Sequence, residues 1–267
     1  MRPQPGSEAP VVLEATPDET FLRWFGALEE RYLADLTFSE VRRGVQALSA
    51  LYVQNRGQGL ERAMGGAGKR AAFAMFYAPL HFLLIRAVLG ATGAASHPVG
   101  EIRDLGCGTG AGGAAWALEA RGHLRLKGIE RHPWAAREAR WSWRMLGLDG
   151  RVVQTDLTGV RLPGAGAGIL LAYTANELGP EARRLLLEKL IRAAQRGAAV
   201  LVVEPISRGI LPWWGDSEAR FGAVGGIAGA WRLRVDLPER LRLMDRAAGL
   251  DHSELTGRTL WVPGVSN

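Results

Sequence analysis

Three acids fall at intervals that suit recognition of one small molecule. Asp104 ends an apolar-alternating run, Glu130 ends the next, and Asp156 follows a third in Gln154-Thr155-Asp156-Leu157. After the first comes a burst of glycines, Gly106-Cys107-Gly108-Thr109-Gly110-Ala111-Gly112-Gly113. Glycine lets a backbone turn tightly and approach a ligand, and the helix-forming residues from Ala114 aim amides at the same place. Gly108, Gly110 and Gly113 match the spacing of a dinucleotide fingerprint, but an acid beside the turn would repel a pyrophosphate. A ligand with a cationic amino-acid head, a ribose and an adenine, but no phosphate, accounts for all three acids. Asp104 and the turn backbone take the amino-acid part, Glu130 the ribose diol and Asp156 the adenine amino group.

A second group of residues has the chemistry of an acceptor site. Glu177, His81 and Tyr173 are the candidates for a general base or an orienting group. Asn176 and Glu177 serve equally well as caps of the helix that follows. Tyr77 and His81 stand on an apolar background, either as satisfied core residues or as the lining of a pocket beneath a helical cap. Cys107 belongs to the cofactor turn as a small packing residue, not as a nucleophile. It is the only cysteine, which excludes an internal disulfide and any metal site built from several thiolates; no metal is expected.

The elements that must hold these groups follow from periodicity. From Gly100 short apolar strands alternate with amphipathic helices, which argues for a mostly parallel sheet covered on both faces. Strands are expected at 101–105, 124–130, 151–155, 167–173 and 198–204, then at Trp231–Val235 and near 258–262. That makes seven. Helices are expected near 112–121, 134–146, 181–195 and 238–248. Ligands of such sheets sit at the carboxyl ends of the strands, where Asp104, Glu130, Asp156, Tyr173, Glu177 and Glu204 all fall. The organisation expected is thus α/β and Rossmann-like, with a helical cap over residues 1–97 and a binding domain over 98–267.

In the first part, Thr16-Pro17-Asp18-Glu19 reads as a helix start with Thr16 as cap, and Ser39 begins a second helix. Tyr52 to Leu60 reads as a connection. Glu61 to Arg70 resembles a phosphate loop but has Ala63 for its first glycine and Arg70 where Ser or Thr is needed, so it too reads as a connection. Ala71 to Leu89 is a largely buried helix, kinked or interrupted at Pro79. A membrane span there would have to bury Pro79, His81 and Arg86, and is rejected. Met1 to Ser7 reads as a disordered lead without a signal peptide, so a cytoplasmic location is expected.

Composition is that of an ordinary globular chain, 47% hydrophobic and 22% charged over 267 residues. Net charge is +6, carried almost wholly by arginine, with lysine only at Lys69, Lys127 and Lys189. No basic run exceeds two residues, which counts against nucleic-acid binding without removing RNA as a partner.

Over roughly residues 98–205 the sequence resembles the class I S-adenosylmethionine-dependent methyltransferases, in Asp104-Leu105-Gly106-Cys107-Gly108-Thr109-Gly110 and in the acids at 130 and 156. The resemblance implies S-adenosylmethionine as cofactor. Asp104, Gly106, Cys107, Gly108 and Gly110 would then face its methionine half, Glu130 its ribose, and Asp156 with Leu157 its adenine. Tyr77-Ala78-Pro79, Trp116, Ala172 to Leu178 and Val203-Glu204-Pro205 also resemble the mitochondrial small-ribosomal-subunit methyltransferase-like family. That family carries a cysteine cluster after the sheet, and here no cysteine follows Cys107. The Asn-Pro-Pro-aromatic motif of many base-amine methyltransferases is replaced by Thr174-Ala175-Asn176-Glu177. Two readings follow. One is a methyltransferase for a small-molecule or peptide acceptor, marked by an aromatic pocket with Tyr77, Trp213 or Trp214. The other is an RNA- or ribosome-associated protein, marked by a basic face of Arg208, Arg220 and Arg232. The sequence leaves the oligomeric state open.

Overall fold

The computed structural model describes residues 9–54, 64–120, 122–206 and 212–265. Its centre is β5 (Ala167–Ala172) and β6 (Ala199–Glu204), apolar runs buried along almost their whole length. Alternation divides them between two cores: Ala199, Leu201 and Val203 join one apolar cluster, Val200 and Val202 the other. Around them the sheet runs β1-β7-β8-β6-β5-β2-β3-β4, with β1 (Val11–Ala15), β2 (Glu101–Leu105), β3 (Arg125–Glu130), β4 (Gly150–Gln154), β7 (Ile227–Val235) and β8 (Glu254–Val262). Only β8 runs against its neighbours.

Among the described residues the count is eight strands, not seven. The extra strand, β1, comes from the expected cap region and pairs in parallel with β7, Val11 opposite Trp231 through Ala15 opposite Val235.

One face of the sheet carries α1 (Glu19–Leu33), α2 (Phe38–Gln54), α3 (Ala67–Thr92), α4 (Ala111–Glu119), α5 (Pro133–Met145) and α8 (Glu239–Ala247). The other carries α6 (Pro180–Gln195) and α7 (Trp214–Gly222). Three expectations about the first helices change. Asp18, not Thr16, caps α1, its carboxylate accepting the Phe21 amide at 2.8 Å. Helix α2 starts one residue before Ser39, behind a Thr37–Glu40 capping box that satisfies both amides reciprocally. It continues through Tyr52–Gln54, where a connection was expected; the rest of that stretch and 61–63 lie outside the described residues.

Helix α3 is not broken at Pro79. It widens just before the proline into a π turn, Phe73–Tyr77, in which the Ala78 amide donates to the Phe73 carbonyl. Proline offers no N–H and crowds the preceding turn, and a wide turn there accommodates both defects without ending the helix. Ala67–Thr92 is long and apolar enough to cross a membrane, but 78% of its apolar window is buried inside the protein. Arg86, the charge in the middle of its apolar run, is taken up by Asp18 at 2.6 Å and Glu119 at 2.5 Å.

A further tie joins α1 to α5. The buried Glu138 carboxylate accepts from the Arg31 guanidinium at 2.9 Å and from the Tyr32 hydroxyl at 2.8 Å. Glu138→Ala would leave a mostly buried phenol without its acceptor. Urea denaturation should show a loss of about 1–3 kcal/mol; an unchanged midpoint would mean that this contact does not hold α1 in place.

Candidate active site

The carboxyl ends of β2, β3, β5 and β6 open under α3 into a cavity of about 530 Å³. Asp104, Gly106, Cys107, Gly108, Glu130, Asp156, Leu157, Tyr173, Glu177 and His81 all line it. Of the expected site residues, Gly110 alone does not. It stands at φ +88° as the residue before α4, its carbonyl accepting the buried Trp143 indole N–H at 2.8 Å. Trp143, which sequence reading passed over, supports the turn from beneath. A methyl group at Gly110, Gly128 or Gly150 would collide with its ring.

The turn is pinned from both sides. Gly106 and Cys107 donate to the Ile129 carbonyl at 2.8 and 3.0 Å, and Gly108 donates to Glu130 at 2.9 Å. Glu130's other oxygen takes the His132 amide at 2.7 Å, and each oxygen keeps a second lone pair. Asp104 lies under the first turn of α4 and accepts the Gly113 amide at 2.7 Å. Burial, reinforced by Glu130, pushes its carboxyl up to about 7. The same burial raises the Cys107 thiol well above its ordinary value, so it carries no thiolate for nucleophilic work. Asp156 is exposed, with one oxygen holding the Thr158 amide and hydroxyl.

The acceptor side is built by a strained loop. Tyr173 has φ +53°, the only described residue besides glycines on that side of the map, and its amide donates to the Val203 carbonyl at 2.9 Å. Such strain persists where neighbours hold it, often at functional sites. Here Glu204 holds the loop: it takes the Ala175 amide and the Asn176 side-chain amide, both at 2.9 Å. Neither Asn176 nor Glu177 caps α6, because the cap position is Gly179. Burial raises Glu204 to about 8. The Tyr173 ring stacks on His81 at 3.9 Å between centroids. Burial, with His252 beside it, pushes His81 down to about 3, so it is a neutral imidazole. Trp213 and Trp214 lie elsewhere, against Arg183 and Arg258.

The fold matches a known architecture. A proposed O-methyltransferase from Nostoc punctiforme, 14% identical, superposes over 89% of this chain and 72% of its own with a TM-score of 0.50. The fold is that of the class I methyltransferases. Also similar are a SAM-dependent methyltransferase from Aquifex aeolicus (16% identity, 65% of this chain and 88% of that one, TM-score 0.44) and the magnesium protoporphyrin IX methyltransferase of Synechocystis with bound SAM (15%, 68% and 79%, 0.45). No protein-family model matches the sequence, and no curated protein matches it.

Within this class I fold two features bear on what the cavity can hold. Thr109, 3% exposed and on the cavity wall, has no hydrogen-bond partner for its hydroxyl among the described residues. Buried hydroxyls are normally partnered, so a ligand polar group fits there. Among the described residues the wall also carries six carboxyl groups, Asp104, Glu130, Asp156, Glu177, Glu204 and Glu254, against one guanidinium, Arg131. The chain as a whole is basic, yet its cavity is acidic.

Proposed function

We propose that the protein is a SAM-dependent methyltransferase acting on a small-molecule or peptide acceptor. The acid-lined cavity at a glycine turn carries this reading, since it suits a cationic, phosphate-free cofactor and opposes a pyrophosphate. When bound there, S-adenosylmethionine supplies a methyl group activated on a sulfonium. The Asp104 carboxylate would hold its ammonium, the free lone pairs of Glu130 its ribose, and Asp156 with Leu157 its adenine. Gly106, Cys107 and Gly108 would lie along it. The remaining work of the chain is to position an acceptor and exclude water, with the first helices, within residues 1–97, as a cap.

Asp104 gives the test a direction in pH. Its folded pKa of about 7 lies above the ordinary 3.8 of the unfolded chain, so the folded state holds its proton over that window. Its contribution to stability is therefore full below 3.8 and lost as pH rises through about 7. Cofactor binding should run the other way, because an ammonium needs the ionised carboxylate. S-adenosylhomocysteine should bind with release of a proton near neutrality, and its affinity should fall roughly tenfold per pH unit below the folded pKa. Calorimetry in two buffers of different ionisation heat reads this directly. Asp104→Asn keeps an acceptor for the Gly113 amide, and should bind the ligand about 10–100-fold more weakly with the pH dependence gone. Unchanged affinity in that variant would sink the assignment.

Against the RNA reading, Arg220 is paired with Glu188 and Arg232 with Glu254, while Arg208 lies outside the described residues. Of the aromatic markers Tyr77 lines the cavity and Trp213 and Trp214 do not. These placements favour a small acceptor.

A further inference from the structure

His252, on the cavity wall, is paired with a buried carboxylate, and neither residue is among those assigned to the cofactor. His252, in the loop between α8 and β8, lines the cavity. Its Nδ1 lies 2.5 Å from Asp245 Oδ1, and its backbone amide donates to Asp245 Oδ2 at 2.8 Å. Asp245 is 4% exposed, on the apolar face of α8. The ring also meets Phe76, in the π turn of α3, in a T-shaped contact with centroids 5.4 Å apart. Ring and backbone are thus both fixed by one buried carboxylate. A carboxylate on Nδ1 keeps the proton there and leaves Nε2 as an acceptor.

The neighbours say what such a group would act on. The titratable groups beside His252 are the acids Asp245 and Asp251 and the neutral imidazole of His81. Burial raises the hydroxyls of Tyr77 and Tyr173 and the Glu204 carboxyl, and lowers His81: in every case the uncharged form is favoured. The space between Tyr77, His81, Tyr173, Leu84 and Leu255 is lined by uncharged side chains, and desolvation among them favours a neutral acceptor. Those walls are flat rings and apolar chains, which suit a planar aromatic ring. A neutral ring carrying a hydroxyl is a poor nucleophile until its proton is taken.

We propose that His252 is the general base, with Asp245 as its positioning residue, and that the acceptor is a phenol-like hydroxyl; this rests on the methyltransferase reading. His252 Nε2 takes the hydroxyl proton while an oxygen lone pair forms the new O–CH3 bond. The S–CH3 bond breaks, its electron pair returns to sulfur as S-adenosylhomocysteine is left, and the proton passes from His252 to solvent. His81, stacked on Tyr173, then forms part of the ring's seat.

The first readout needs no turnover. Protein saturated with S-adenosylhomocysteine is mixed with 4-nitrophenol at a pH below the probe's own ionisation, and the yellow phenolate is read by absorbance. Wild-type protein should raise the phenolate fraction on the order of tenfold over free solution. His252→Gln and Asp245→Asn should abolish the rise with S-adenosylhomocysteine affinity unchanged by calorimetry. In Asp245→Asn the new amide donates to Nδ1 and sends the ring proton to Nε2, which nitrogen NMR of the imidazole reports. Methyl transfer to 4-methylphenol should then lose about 10²–10⁴-fold in kcat with KM held. Failure of wild-type protein to bind S-adenosylhomocysteine removes the methyltransferase reading and this one with it. Normal binding with no phenolate from wild type, or with undiminished phenolate in His252→Gln, overturns the His252 assignment alone. Loss of S-adenosylhomocysteine affinity in both variants makes the pair structural and overturns it too.

Discussion

Gly106→Ala should unfold the cofactor turn and abolish S-adenosylhomocysteine binding. Gly106 sits at φ +67°, where a Cβ costs about 1–2 kcal/mol. The added methyl would also stand 2.5 Å from Thr174 Cγ2 and 2.6 Å from its Oγ1. Thr174 cannot simply swing away, because its hydroxyl donates to the Ala172 carbonyl at 2.9 Å and reaches the Gly106 carbonyl at 3.3 Å. Overpacking of this kind adds about 1–3 kcal/mol. Urea denaturation should register a total of about 2–5 kcal/mol. Because Gly106 touches the acceptor loop, strain at the cofactor turn passes directly to Tyr173. Thr174→Ala in the same chain removes the two nearest atoms and should recover the steric part but not the backbone part. A fully stable single variant would show that the turn and the loop are not in contact.

Glu204→Leu should be the second severe change. It removes the acceptor of the buried Ala175 amide and of the Asn176 side chain at once. An orphaned buried donor costs about 1–3 kcal/mol, and the strained Tyr173 then loses the support of the residues that follow it. Loss of the Tyr173–His81 stack should appear as altered near-ultraviolet circular dichroism. Glu204→Gln should be mild, because the folded carboxyl is already neutral below about 8. The native group has a linked pH signature. Its pKa is raised from 4.5, so its stabilisation is whole below that value and fades as pH rises through about 8. Glu204→Gln should flatten this decline; an equal decline in both proteins would assign it elsewhere.

The cofactor side of the cavity was legible because its signals are local. Asp104, the glycines and Glu130 sit where a strand meets a turn, and burial of β5 and β6 on both faces writes itself as unbroken apolar runs. Three features were not legible in that way. Val11–Ala15 is five residues long, and nothing near it in sequence says that its partner is Trp231–Val235. The π turn hid because proline in a helix normally signals a stop, and only the packing of Phe73 to Tyr77 shows the wider turn. Asp245 did leave a trace, since Leu241, Met244 and Asp245 fall at i, i+3 and i+4 on the buried face of α8. A lone acid on an apolar stripe invites the question of what it binds. The answer, His252, lies beyond the helix end, where no periodicity runs.

The first strand has one more implication, and it concerns time. A parallel edge strand is closed only by its partner, and β7 is synthesised about 220 positions after β1. At roughly 5–20 residues per second, that is a wait on the order of 10–40 s with β1 unpaired. Contacts so distant in sequence are also the slow ones to form. The first strand thus waits for nearly all of the sheet to be made, and anything that pairs with β1 during synthesis competes with the finished fold.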